Sequence, residues 1–259
     1  MSIESLIHKL DGEYSLYAKN LKTGKAISWR EHEVMPSASL IKVPIMAEIF
    51  RRVEEEHLDL DDTLTMKRED QVSGSGVLMD LTPGLKLSVR DLTTLMITVS
   101  DNTATNLLID WVGVDAVNHV IRRLGLTHTA LERRLQRVPT ERARINRTTA
   151  YDMSLLMELL ARGEAISAAV SEQMVGILQR CQAPISIAPA MPPSEVPATL
   201  PRLKVAHKTG SLASARHDSG IVSMTNGAYV ATIMSQGAPE SVLLRNITRL
   251  GRELYRALR

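Results

Sequence analysis

The sequence predicts an α+β protein: an antiparallel sheet flanked by the terminal helices, joined to an all-helical lobe. Three observations predict it. Apolar residues alternate over short runs near both ends of the chain, they recur every three or four residues through its middle, and a proline-crowded stretch separates middle from end.

Near the start, "YSLYAKNLKTGKAISW" reads as two short strands joined at Lys22-Thr23-Gly24, where Gly24 supplies a turn conformation that other residues resist. From "SASLIKVPIMAEIFRRVEEEHL" onward Ile41, Ile45, Ile49 and Val53 recur every four residues, so one helical face packs inward. Helical spacing continues in "SVRDLTTLMITVS", "NTATNLLIDWV", "VDAVNHVIRRLG", "TAYDMSLLMELLARG" and "AAVSEQMVGILQRC", and the middle of the chain is expected to be all-α. Six of the 11 prolines then crowd into "PISIAPAMPPSEVPATLP", a connector. Beyond it "LKVAHKTGS", "DSGIVSM" and "AYVATIMS" read as three strands, and "ESVLLRNITRLGRELYRAL" as a long amphipathic helix. The expected organisation is an α/β lobe of residues 1–32 and 185–259, a helical lobe of residues 33–184, and a site in the cleft between them.

The chain has 259 residues, 44% of them hydrophobic, enough for a substantial core. Its 31 Lys and Arg against 29 Asp and Glu are spread evenly, so no footprint for nucleic acid stands out. No apolar run approaches the roughly 20 residues needed to cross a bilayer, so no membrane partner is expected. The start "MSIESLIHKLDGEY" lacks the pattern of a secretion signal, which points to the cytoplasm, or to a secreted or periplasmic protein if a signal was removed. The single Cys181 excludes an internal disulfide and reads as a buried small hydrophobe.

Three short motifs carry chemistry. In Ser39-Leu40-Ile41-Lys42 a serine and a lysine three residues apart share one helical face, placing the hydroxyl of Ser39 beside the ammonium of Lys42. Serine is a poor nucleophile until a base takes its proton. Ser100-Asp101-Asn102 lies between two helical runs, where all three residue types favour a helix N-cap; its hydroxyl can also relay a proton and the Asn102 amide can hold a carbonyl. Lys208-Thr209-Gly210 opens a strand. Lys208 there can attract an anionic substrate and, if near Lys42, lower the pKa of that residue. Gly210 lets a substrate lie along the strand edge, and the backbone N–H groups of Ser211 and Ser39 can together form an oxyanion hole.

S-x-x-K, S-D-N and K-T-G in this order are the signature of class A β-lactamases and penicillin-binding proteins. The chain resembles a class A β-lactamase over almost its whole length, with "SLIKVPIMAEIF", "LTTLMITVSDNTATNLLI" and "LKVAHKTGS" similar to that family well beyond the bare motifs. The resemblance implies a β-lactamase/transpeptidase-like fold. It implies Ser39 as the acylated nucleophile, Lys42 as its base, Ser100 and Asn102 as shuttle and clamp, and Lys208, Thr209, Gly210 and Ser211 as the substrate-binding strand. Arg216 is a candidate for a substrate carboxylate. The partner is a small molecule, a β-lactam or related acyl donor; a monomer is expected, with no cofactor and no metal.

One part of the family pattern is missing. Class A enzymes carry a glutamate, within Glu-x-x-Leu-Asn, that activates the water cleaving the acyl-enzyme; here the stretch is "LERRLQRVPTERARINRTTAYDM". Counting from Asn102 puts Gln136, or Leu135, at the position of the glutamate, and glutamine accepts no proton usefully. Glu132 and Glu141 are the nearby carboxylates, each also readable as a partner for the surrounding arginines. Acylation is expected to be intact and deacylation to be in question, so a D-Ala-D-Ala peptidase or esterase, or a binder that stays acylated, stands as the alternative. His217-Asp218 invites a Ser-His-Asp reading, but neighbours on a strand point to opposite faces, and His207 should likewise face away from Lys208.

Overall fold

Strand β1 (Glu13–Asn20) pairs with β2 (Ala26–Trp29) across the turn at Gly24, whose φ of +73° is the left-handed conformation that the turn needs. The computed structural model describes residues 2–136, 145–188 and 203–259. Around this hairpin the order along the chain is α1 (Ile3–Ile7), β1, β2, β3 (Met35–Pro36), a 3-10 turn (Ala38–Ile41), α2 (Lys42–Glu54), β4 (Thr63–Thr65), β5 (Lys86–Ser88), α3 (Val89–Thr98), α4 (Asn102–Val112) and α5 (Val114–Arg123). Then come β6 (Arg147–Thr148), α6 (Ala150–Arg162), α7 (Ala168–Leu178), β7 (Lys204–Leu212), β8 (Ala215–Met224), β9 (Gly227–Gln236) and α8 (Glu240–Leu258).

β1, β2, β7, β8 and β9 form one antiparallel sheet in the order β2-β1-β9-β8-β7, so β7, which carries Lys208 to Gly210, is an edge strand. Alternation sorts its side chains: Ile221 and Val230 face one core, while Val222 and Ala231 face the other. On the second face α8 presents Leu243, Ile247, Leu250, Leu254 and Leu258, spaced as one helical stripe, and α1 adds Leu6 and Ile7. On the first face α6 lies against the sheet and leads into the larger core around α2, where Ile41, Ile45 and Ile49 are fully buried. Each such side chain contributes about 1.5–3 kcal/mol on burial.

The middle of the chain is not all-α. β4 pairs with β5, and β3 with β6, in two small ladders. Their two or three residues are too short to show a period of two, and only tertiary pairing makes them strands. The helices themselves start where side chains cap them: Ser88 accepts from Asp91 N, Asp101 from Ala104 N and Thr149 from Asp152 N. Much of the proline-rich stretch, from residue 189 to 201, lies outside the described residues.

Candidate active site

A cleft of about 820 Å3 opens beside the 3-10 turn, the α3–α4 junction and the end of β7, and its lining includes Ser39, Ser100, Asn102, Lys208, Thr209, Ser211 and Arg216. Lys42 lies fully buried beneath. The three motifs, distant in sequence, therefore meet.

Ser39 sits inside the 3-10 turn that runs into α2, with Lys42 the first residue of that helix. Ala38 before it holds φ +46°, Ser100 holds φ +56° and Gln136 φ +53°; three of the five non-glycine residues with positive φ among the described residues thus border one cleft. Left-handed backbone at such residues costs free energy and persists where the surroundings over-determine it. The turn is fixed from outside, since Ser37 N donates to Asn146 O at 2.8 Å.

The expected contact between Ser39 and Lys42 differs in the structure. The Lys42 ammonium lies 2.6 Å from Ser100 O, 3.1 Å from Ser100 Oγ and 2.9 Å from Asn102 Oδ1, whereas the Ser39 hydroxyl makes no side-chain hydrogen bond among the described residues. A buried amine must place its hydrogens on acceptors, and Ser100 O, Ser100 Oγ and Asn102 Oδ1 supply one for each of the three. From the other side Lys208 Nζ donates to the same Ser100 Oγ at 3.0 Å and to Thr209 O at 2.8 Å. Burial, and then the Lys208 charge, push the Lys42 pKa well below the usual lysine range, against a smaller pull from Asp101. Burial pushes Lys208 down to about 8. The arrangement can do acid–base chemistry near neutrality: one amine is driven toward its neutral, proton-accepting form, and a hydroxyl joins it to a second amine.

Asp101, between the two polar residues of its motif, has a separate task. Its carboxylate caps α4 through Ala104 N and accepts from Val77 N at 2.7 Å and Leu78 N at 2.8 Å, anchoring the segment that follows Gly74 and Ser75 of the cleft wall. Gly76 is required there: at φ +112° its missing Cβ would lie 2.3 Å from the Asp101 carboxylate. Asn102 adds a bond from Nδ2 to Ser73 O at 3.1 Å. Gly210 is needed for close approach, because a Cβ there would lie 3.1 Å from that of Ala38 and 3.2 Å from Ser37 O. Its small size lets β7 lie against the turn of Ser39.

Gln136 lines the cleft near Asn102: the position a Cβ of Gly74 would take is 2.7 Å from Asn102 Nδ2 and 3.0 Å from Gln136 Nε2. Leu135 also lines the cleft; it is held by Asn106 at both backbone groups, and its partly buried side chain packs against the main core. Glu132 is not brought to the cleft. Its carboxylate pairs with Arg147, and its backbone N donates to Asn146 Oδ1. Glu141 lies outside the described residues. Asn146, which the motif reading passed over, also holds Arg133 through both ends of its amide and so fixes the wall carrying Gln136. Nothing in its sequence context separates it from a solvated asparagine.

Arg216 reaches the cleft, but its guanidinium pairs with the Ser211 hydroxyl and, at 2.7 Å, with Glu240. His217 and Asp218 do point apart. His217 bonds Pro36 O and accepts from Ser235 N, and burial holds it neutral with a pKa near 4. Asp218 instead pairs across the strands with His207 at 2.8 Å. Cys181 is another correction, being only partly buried and part of the cleft wall, because α7 ends three residues before it.

Comparison with known proteins shows the family and the fold. A family model described as "Beta-lactamase enzyme family" matches residues 1–258. Among solved structures, the β-lactamase from Sphaerobacter thermophilus is 28% identical with a TM-score of 0.89, covering 99% of this chain and 96% of its own. PBP-A is 30% identical with a TM-score of 0.86, covering 98% of this chain and 93% of its own. Beta-lactamase BRO-1 of Moraxella catarrhalis is 33% identical over 104 residues, 39% of this chain; the match spans 33% of the length of that relative.

Proposed function

The chain belongs to the β-lactamase enzyme family, and on that premise we propose that it is a serine hydrolase of the class A type that opens β-lactam rings through an acyl-enzyme on Ser39, with slow release of the acyl group. One observation carries the reading: Ser100 Oγ within 3.1 Å of both Lys42 Nζ and Lys208 Nζ, at the wall of the cleft that Ser39 enters.

In this mechanism neutral Lys42 takes the proton of Ser39 as its oxygen attacks the lactam carbonyl. The backbone N–H groups of Ser39 and Ser211 receive the developing oxyanion. The C–N bond breaks, and Ser100, resupplied with a proton from the lysines, protonates the departing nitrogen. Asn102 and Thr209 orient the substrate, and Lys208 attracts its carboxylate. Hydrolysis of the resulting ester needs a base for water, and Gln136 or Leu135 stands where a carboxylate is expected. Neither side chain offers a usable proton-accepting site, so release of the acyl group is slow.

That glutamine also supports a second reading, a peptidase or esterase of the penicillin-binding kind acting on D-Ala-D-Ala or small esters. Mass spectrometry over time with penicillin separates the two. An adduct on Ser39 that decays slowly with release of ring-opened product supports the hydrolase; an adduct that does not decay, with fast cleavage of a D-Ala peptide or ester, supports the second. Neither turnover nor adduct on wild type, or an adduct retained in Ser39→Ala, removes both.

A further inference from the structure

The cleft wall holds a second chemical group that this mechanism does not use. Cys181 lines the cleft, partly buried, where the chain leaves α7. Behind it stands His207, 1% exposed, whose Nδ1 lies 2.8 Å from Asp218 Oδ1. Asp218 is itself fixed by the backbone N–H groups of Ser186 at 2.6 Å and Ile187 at 3.2 Å. The other ring nitrogen, Nε2, is buried and without a hydrogen-bond partner, and the Cys181 thiol acts on the same imidazole. An imidazole held by a carboxylate on one nitrogen, with its other nitrogen open and a thiol beside it, can activate a sulfur nucleophile.

We propose that Cys181 is a second covalent site in the cleft: a thiol set by His207 and Asp218 to exchange with low-molecular-weight disulfides. In the exchange the Cys181 proton resides on His207, and the sulfur attacks one sulfur of RS–SR. The new Sγ–S bond forms as the old S–S bond breaks, and RS⁻ leaves with the electron pair and takes up the proton as RSH. One thiol and one disulfide give one mixed disulfide and one thiol, so no further oxidant is required.

The electrostatics agree with the geometry. Burial alone raises a thiol pKa, but the His207 imidazole, the Lys208 ammonium and the Ala183 N–H together bring Cys181 below the usual cysteine range. Burial likewise disfavours the His207 cation, yet Asp218 and the Cys181 sulfur raise it to about 10. The groups acting on the thiol are thus His207 and Lys208 from β7, and Asp218 on β8 acts through His207. A structural role for the cysteine needs none of them.

The test is the rate of labelling by 5,5′-dithiobis(2-nitrobenzoate) from pH 5 to 9, with the site mapped by mass spectrometry and oxidised glutathione as a second probe. The expected result is one label on Cys181 and a rate that stays high at pH 6, where a thiol with a pKa of about 8.5 is ionised to about a third of a per cent. His207→Gln and Asp218→Asn are expected to cut the rate at pH 6 at least tenfold and to move its midpoint upward. Ser39→Ala is expected to label at the wild-type rate, so the outcome is independent of acylation at Ser39. A wild-type profile with its midpoint at the ordinary cysteine value, or a folded protein that takes no label, would overturn the proposal even if neither histidine nor aspartate variant folds.

Discussion

Lys42 and Lys208 meet on a single hydroxyl: Ser100 Oγ lies 3.1 Å from one Nζ and 3.0 Å from the other, and both lysines are fully buried. Two ammonium groups so placed and so buried cannot both stay charged cheaply, and burial pushes both lysines below the usual lysine range, with the Lys208 charge pushing Lys42 down further.

This sets a pH profile for acylation. As pH falls through its depressed pKa, Lys42 gains a proton and loses its capacity to take one from Ser39, so the rate drops on the acid side. As pH rises past about 8, Lys208 loses its charge and anionic substrates bind less well. Removing the neighbouring charge with Lys208→Met raises the Lys42 pKa and moves the acid limb upward, while Lys42→Ala slows acylation by about 10²–10⁴-fold. Second-order acylation rates measured across pH check both. An acid limb unmoved in Lys208→Met contradicts the coupling.

Gln136→Glu is expected to shorten the lifetime of the acyl-enzyme by about 10²-fold or more, because it puts a proton acceptor into the cleft beside Asn102. Leu135→Glu tests the other position of that count, since Leu135 is only partly buried and lines the same cleft; a comparable shortening there would assign the water-activating position to 135. Intact-protein mass spectrometry after removal of free β-lactam reads the lifetimes directly.

Asp101→Ala removes the cap of α4 and leaves two further backbone N–H groups, of Val77 and Leu78, without their acceptor. The expected loss is about 2–4 kcal/mol in urea denaturation, with Asp101→Asn milder because one acceptor oxygen remains. Equal stability of wild type and Asp101→Ala would show that the segment from Gly74 to Leu78 is held by other contacts.

Glu240→Ala releases Arg216 from its 2.7 Å pair. KM for a carboxylate-bearing substrate should fall several-fold with kcat unchanged. Stability should change by less than about 1 kcal/mol, since the Glu240 side chain is largely exposed and such pairs contribute little. A kcat change without a KM change would place Arg216 outside substrate binding.

How much of this was legible in the sequence follows from the range of the interactions. The first hairpin, the helical spacing of α2 to α8 and the three motif strings are local patterns, with periods and caps written within a few residues of one another. The sequence also marked the absent glutamate, because a spacing counted from Asn102 needs no coordinates. What lay beyond it is of long range. The ladders β3–β6 and β4–β5 hold two or three residues each and exist only through pairing across 111–113 and 21–25 positions. The sequence spacing put the Lys42 amine beside Ser39, yet burial sent it to Ser100 and Asn102, a decision made by competing acceptors that only packing supplies. The same holds for Cys181. A lone cysteine carries no signal of its own, and its chemistry comes from a histidine 26 positions onward and an aspartate on the next strand, brought behind it by the register of an antiparallel sheet.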